Sequence, residues 1–398
     1  MKRALLALAG TFLTCFVIFS QDNNVNAYLD AFQNNFERSS GISTKIEILQ
    51  DAAEIDREGM APIYTEALEY ILNNPDIFYT DPLSAELTTM AIRLIGAINY
   101  QQASYALWQI FKEIDQTGVR VEALSVLGSI AKGNEEIDEL MTAWLDAQNT
   151  LHKDGVRTDL QVISEMVSAL GKIAAPASFP VLFTAGIIGY SNEISEKARD
   201  ALLKIDDDFM GNIINIIQSL PAQEKVAAFE LALSAENLSD EELGNIAETA
   251  LNYGNSTVAA TPEEKTYIRT LRYESAKVLK NLSWSQATDA IIEHFDLAVL
   301  EYERGLCDKS QLLEAIACLG SMATHEAAVR LTLYIELLNH FVESGQNIDE
   351  QIILTVIQNL GALGDKVALD SLLYVKYLNY SNTVKKAARE AQSNLKIR

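Results

Sequence analysis

Leu170-Gly171-Lys172-Ile173 and Leu360-Gly361-Ala362-Leu363-Gly364-Asp365 carry the pattern from which the fold is read. In each, a glycine follows a leucine late in a stretch whose apolar residues recur at helical spacing. The same pair returns as Ile95-Gly96, Leu127-Gly128 and Leu319-Gly320, and Leu279-Lys280-Asn281-Leu282 keeps the phase without the glycine. Seven residues past the glycine position stands a small residue, and eleven past it an aliphatic one: Ala103 and Leu107, Ser178 and Leu182, Ala287 and Ile291, Ala327 and Leu331, Ala368 and Leu372. A shared offset in five windows implies one repeated unit. A short turn brings a second helix back against the first, with the small residue at the close approach and the aliphatic one turn later in the shared core.

Consecutive glycine positions lie 32 to 43 residues apart. The wider gap between 171 and 280 accommodates two degraded units, one around 198–205 with Leu203 in the glycine's place and one over 222–252. Helix-start chemistry agrees with this phasing, since Ser239 with Glu242, Thr261 with Glu264, Ser283 with Gln286 and Asn347 with Glu350 all have the spacing of capping boxes. No segment alternates with period two. These Leu-Gly segments resemble the HEAT repeats, whose paired antiparallel helices stack into a curved rod. The resemblance spans about residues 84–396 and implies an all-α, right-handed solenoid of eight or nine helix pairs, of the HEAT-like or armadillo type. A tetratricopeptide array has a shorter, 34-residue period that does not fit. Residues 21–83 are expected as N-terminal capping helices, 252–261 as a loop, and a last helix near 383–396 as the closing element. A lone pair cannot bury its apolar face, so stability is expected to come from contacts between neighbours.

The chain has 398 residues, 48% hydrophobic and 22% charged, with a formal net charge of -24. Such an acidic balance argues against nucleic-acid partners, which require a cationic footprint. Met1-Lys2-Arg3, the apolar run 4–19 and the polar residues after it have the three-part form of a secretory leader over residues 1–20, with cleavage near 20 or 27. The expectation is a periplasmic or otherwise exported protein without an integral membrane span in its mature chain. Acylation at Cys15 is the weaker alternative, because Phe12-Leu13-Thr14-Cys15 is a poor lipobox. Cys307 and Cys318 would be separated by about 15 Å along one helix axis, too far for a disulfide.

No catalytic constellation stands out. The histidines at 152, 294, 325 and 340 are scattered. A resemblance to the HEAT-like deoxyhypusine hydroxylases would imply several iron-binding His-Glu pairs, whereas this chain has His325-Glu326 alone. Asp206-Asp207-Asp208 begins like a calcium loop, but Met210 and Ile217 occupy positions that need oxygen ligands. These carboxylates are read instead as favourable charges at a helix N-terminus. No cofactor and no enzymatic activity are expected.

What remains is surface. Leu107, Ile110, Phe111 and Ile114 define a core face, which leaves Tyr105, Trp108 and Lys112 on an adjacent stripe; comparable stripes are Arg330, Tyr334 and Phe341, and Asp370, Tyr374 and Tyr377. Tyr, Trp and Arg are the residues that most often anchor interfaces. The terminal segment is basic, with Lys385, Lys386, Arg389, Lys396 and Arg398, and 222–252 is acidic, a polarity suited to orienting a partner or to weak head-to-tail self-association. Tyr105, Trp108, Lys112, Arg330, Tyr334, Tyr374, Tyr377, Lys385, Lys386 and Arg389 are therefore the candidate contacts with a protein partner. The function expected is an exported scaffold or adaptor, with a structural subunit of an envelope assembly and an enzyme of unrecognised site as the rival readings.

Overall fold

A computed structural model describes residues 27–205 and 207–395. The expected leader, its cleavage site, Cys15, Asp206, Lys396 and Arg398 lie outside the described residues. Every regular element among the described residues is helical, and the chain divides into two compact units, Met1–Asp207 and Asp208–Arg398.

The first unit contains α1 (27–38), α2 (Ile42–Ile55), α3 (Ala61–Asn73), α4 (Pro75–Thr80), α5 (Ser84–Ala97), α6 (Ser104–Glu113), α7 (Thr117–Ile130), α8 (Glu135–Lys153), α9 (Leu160–Ile173), α10 (Phe179–Ile187) and α11 (Asn192–Leu202). Helices α5, α7, α9 and α11 pack successively in one layer, and α6, α8 and α10 in a second. The second unit contains α12 (Phe209–Ser219), α13 (Ala222–Leu233), α14 (Asp240–Ser256), α15 (Pro262–Leu282), α16 (Thr288–Glu303), α17 (Lys309–Gly320), α18 (His325–Glu343), α19 (Glu350–Leu363), α20 (Leu369–Tyr374) and α21 (Asn382–Asn394). Here α13, α15, α17, α19 and α21 form one layer and α12, α14, α16, α18 and α20 the other. Each unit is thus a helical repeat, and its core lies between the two layers.

The marker glycines serve the first layer. A Cβ on Gly128 would meet the Ala169 backbone of the next first-layer helix at 2.8 Å, and one on Gly171 would meet the Ala201 side chain at 2.6 Å. Gly96 against Val126, Gly320 against Asn359 and Gly361 against Ala391 repeat the contact. Glycine here allows neighbouring helices to approach until their backbones nearly touch. The small and aliphatic residues of the repeat, from Ala103 and Leu107 to Ala368 and Leu372, are all buried between the layers.

Three residues past the glycine position the backbone turns left-handed, at Asn99, Ala174, Ser283, Ala323 and Gly364. In four of these turns a short 3-10 segment follows and delivers the small residue into the second helix. A recurrent cation closes the opposite end of some pairs. The fourth residue of α2, α7 and α13, namely Lys45, Arg120 and Lys225, donates to the carbonyl of Phe36, Phe111 or Ile217 near the C-terminus of the preceding helix. These carbonyls have no partner within their own helix, so a cation there satisfies both charge and geometry.

Several sequence expectations need correction. Residues 252–256 are the last turn of α14 rather than part of a loop, because Gly254 packs on Arg272 and Asn255 Nδ2 donates to the Ala290 carbonyl at 2.8 Å. Ser283 does not cap α16: it is the left-handed residue that ends α15. Asp349 caps α19 in place of Asn347, its Oδ1 accepting from the Gln351 amide at 2.9 Å. The Ser239–Glu242 box is present, and the Thr261 hydroxyl accepts from the Glu264 amide at 3.1 Å. Cys307 and Cys318 are free.

Candidate protein-interaction surface

In the second unit, α16, α18 and α20 turn one face to the first layer and leave another outside. Inward, Ile291, Phe295, Leu331, Ile335, Leu338 and Leu372 are buried. Polar bonds fix each helix to the next. Arg330 Nε donates to Asp296 Oδ1 at 2.6 Å and its guanidinium lies over the Phe295 ring. Asn339 Nδ2 donates to the Ser371 carbonyl at 3.2 Å, and the Ser371 hydroxyl to Glu336 at 2.9 Å. The Tyr374 hydroxyl donates to Glu343 at 2.8 Å, a bond that also holds its pKa above the usual value.

Large apolar side chains stand on the outer side of these helices, interspersed with exposed Glu336, His340 and Lys376. Leu333 is 54% exposed, with Leu337 one turn further along α18 also exposed. On the next second-layer helix Leu373 and Tyr374 are exposed, and Tyr377 in the short 3-10 turn that continues α20 is 75% exposed. Large aliphatic and aromatic groups held on rigid helices lose little freedom when covered, which makes this face suited to docking a protein.

The sequence candidates separate accordingly. Tyr374 and Tyr377 belong to the exposed face; Arg330 is half-buried and committed to Asp296. Tyr334, expected as a contact, is only 5% exposed and meets Phe295 edge-on, and burial raises its pKa to about 12. Trp108, also expected as a contact, is 3% exposed and stacks on Phe111, which in turn meets Trp144 of α8 edge-on. Both are core residues: Tyr334 fills the gap between α16 and α18, and Trp108 is buried against Phe111 of its own helix. Tyr105 and Lys112 do point outward, in the first unit, away from this set of residues in sequence and in unit.

On α21, Lys386 and Arg389 are exposed and Lys385 is half-buried. Gly361 rests on Ala391, so the positions of α21 that match Ile357 and Leu354 of α19 are Arg389 and Lys386. Where α17 carries Ile316 and Leu313 and α19 carries Ile357 and Leu354, α21 carries cations.

A buried polar cluster joins α15 and α16 that sequence reading missed. Arg272, itself buried, donates from Nη2 to Glu301 Oε2 at 2.5 Å, and the Tyr273 hydroxyl donates to the same oxygen at 3.1 Å. Arg269 and Tyr273 line a cleft of about 490 Å³ together with Cys307. Burial pushes the Cys307 thiol up, which disfavours nucleophilic use. His294, fully buried beside Tyr273, has no hydrogen bond at either ring nitrogen and is pushed down to about 3 by burial and by Arg272. The signal in sequence was Arg269, Arg272 and Tyr273 within little more than one helical turn.

Among the described residues no helix is long and apolar enough to cross a membrane. Neither a protein-family model nor a curated protein sequence matches the chain. Among solved structures, an engineered protein from the Northeast Structural Genomics Consortium aligns over 92% of this chain and 98% of its own, at 19% identity and a TM-score of 0.35. That similarity is too slight to carry an argument.

Proposed function

We propose that this chain is an exported, non-catalytic scaffold that binds a protein partner through the outer face of α18 and α20. The observation that carries the reading is the group Leu333, Leu337, Leu373 and Tyr377, large apolar side chains left exposed on helices that are otherwise tightly bonded to their neighbours. Apolar surface of this kind on a rigid support gains free energy when another surface covers it. Export is supported by the three-part pattern of residues 1–20, and the glycine-marked helix pairs support assignment to the HEAT-like repeats. The same pattern supports a periplasmic or envelope setting.

The test is affinity capture from the envelope fraction with the wild type and with a Leu333→Glu, Tyr377→Glu variant. A specific co-purifying protein should be lost from the variant while its helicity and urea midpoint stay unchanged. Equal capture by both would place the partner elsewhere.

A further inference from the structure

The first turn of α8 and the turn that enters α10 enclose a cleft of about 310 Å³ in the first unit. Asp138 lines it and is only 4% exposed, yet its Oδ1 has no hydrogen-bond partner. The charge that acts on it is Glu139, a second acid, and burial together with that acid holds its pKa above the usual carboxylate range. Glu135, one turn earlier, adds a third carboxylate to the same cleft. Ile173, Pro176 and Ala177 make the facing wall apolar.

A buried carboxylate without a partner is costly, and only part of that cost is offset by the N-terminal end of the α8 dipole. A metal ion is a poor complement, because it needs several oxygen ligands around it and one wall here offers none. Among the described residues no group of three or more His, Cys, Asp or Glu is arranged to hold one. A cation carried on a hydrocarbon stem fits both halves: the charge meets Asp138 while the stem lies along Ile173 and Pro176. We infer that the cleft binds an alkylammonium group, whether the end of a lysine side chain on a partner or a small free amine. This site is independent of the exposed face on α18 and α20.

Calorimetric titration of the full chain with pentylammonium, with 1-pentanol as the neutral analogue, tests the inference directly. Pentylammonium should bind saturably and pentanol should not. Asp138→Asn should weaken the amine by about tenfold or more, with a thermal midpoint at or above that of the wild type. Ala177→Trp, which fills the cleft and keeps the acid, should also abolish binding. A blocked peptide with one central lysine binding more tightly than pentylammonium would identify a partner side chain as the source, and equal or weaker binding a free amine. Absence of saturable binding by the wild type up to about 10 mM amine, or unchanged binding by Asp138→Asn, would overturn the inference.

Discussion

A Cβ placed on Gly128 would lie 2.8 Å from the Ala169 Cα, one first-layer helix further along the stack. The obstacle is backbone, so no rotamer change can relieve it. Alanine exceeds glycine in helix propensity by about 1 kcal/mol, yet Gly128→Ala should destabilise the fold by about 1–3 kcal/mol because the overpacking dominates. Gly118, in the first turn of α7 with nothing within 4 Å of its would-be Cβ, supplies the contrast. Gly118→Ala should stabilise by up to about 1 kcal/mol. Urea midpoints of the two variants should therefore move in opposite directions.

Ala174 and Ala323 sit at φ 55° and 56°, where an L side chain crowds its own backbone. Replacing either with glycine should stabilise by about 0.5–1 kcal/mol, despite the greater freedom of glycine in the unfolded chain. Gly364, at the matching turn with φ 66°, should lose stability on replacement by alanine. Thermal melts of the three variants check the shared turn geometry.

The buried His294 makes stability pH-dependent. Its folded pKa of about 3 lies below the unfolded value of 6.5, so the unfolded chain takes up the proton first. The resulting stability is complete above pH 6.5 and declines as pH falls toward 3, by at most about 1.4 kcal/mol per unit. Between pH 7 and pH 5 the wild type should lose up to about 2 kcal/mol more than His294→Phe. Parallel urea titrations at both pH values measure the difference; equal losses would mean that the ring is solvated.

Trp108 and Tyr377 should respond oppositely to truncation. Trp108→Ala opens a cavity beside Phe111 and should cost about 3–5 kcal/mol, whereas Tyr377→Ala should change stability by about 0.5 kcal/mol or less. Chemical denaturation of each variant decides it.

Helix pairing and its phase were readable because glycine, small and aliphatic residues recur at fixed offsets, and each offset has a packing cause now seen in Gly171 against Ala201 and in buried Ala103. The left-handed turns were not readable. Asn99, Ala174 and Ser283 share no residue type, so no residue signature marks the conformation. Trp108 was misplaced because a helix wheel set it beside the core face, whereas its ring stacks on Phe111 and is 3% exposed. Asp138 was hidden because an acid in a first turn reads as an ordinary partner of the helix dipole. Only packing against the turn before α10 shows that it is buried without a partner. The cations Lys45, Arg120 and Lys225 share a position, yet the lysine–arginine difference and their uneven spacing concealed it.

The most direct test of the proposed interface is site-specific photo-crosslinking in cells that make the partner. A benzophenone side chain introduced at position 333 or 377 should give a discrete adduct of one size, absent when the same group replaces exposed Lys112 or Lys386. Adducts at the two control positions with none at 333 and 377 would contradict the assignment of the α18–α20 face as the binding surface.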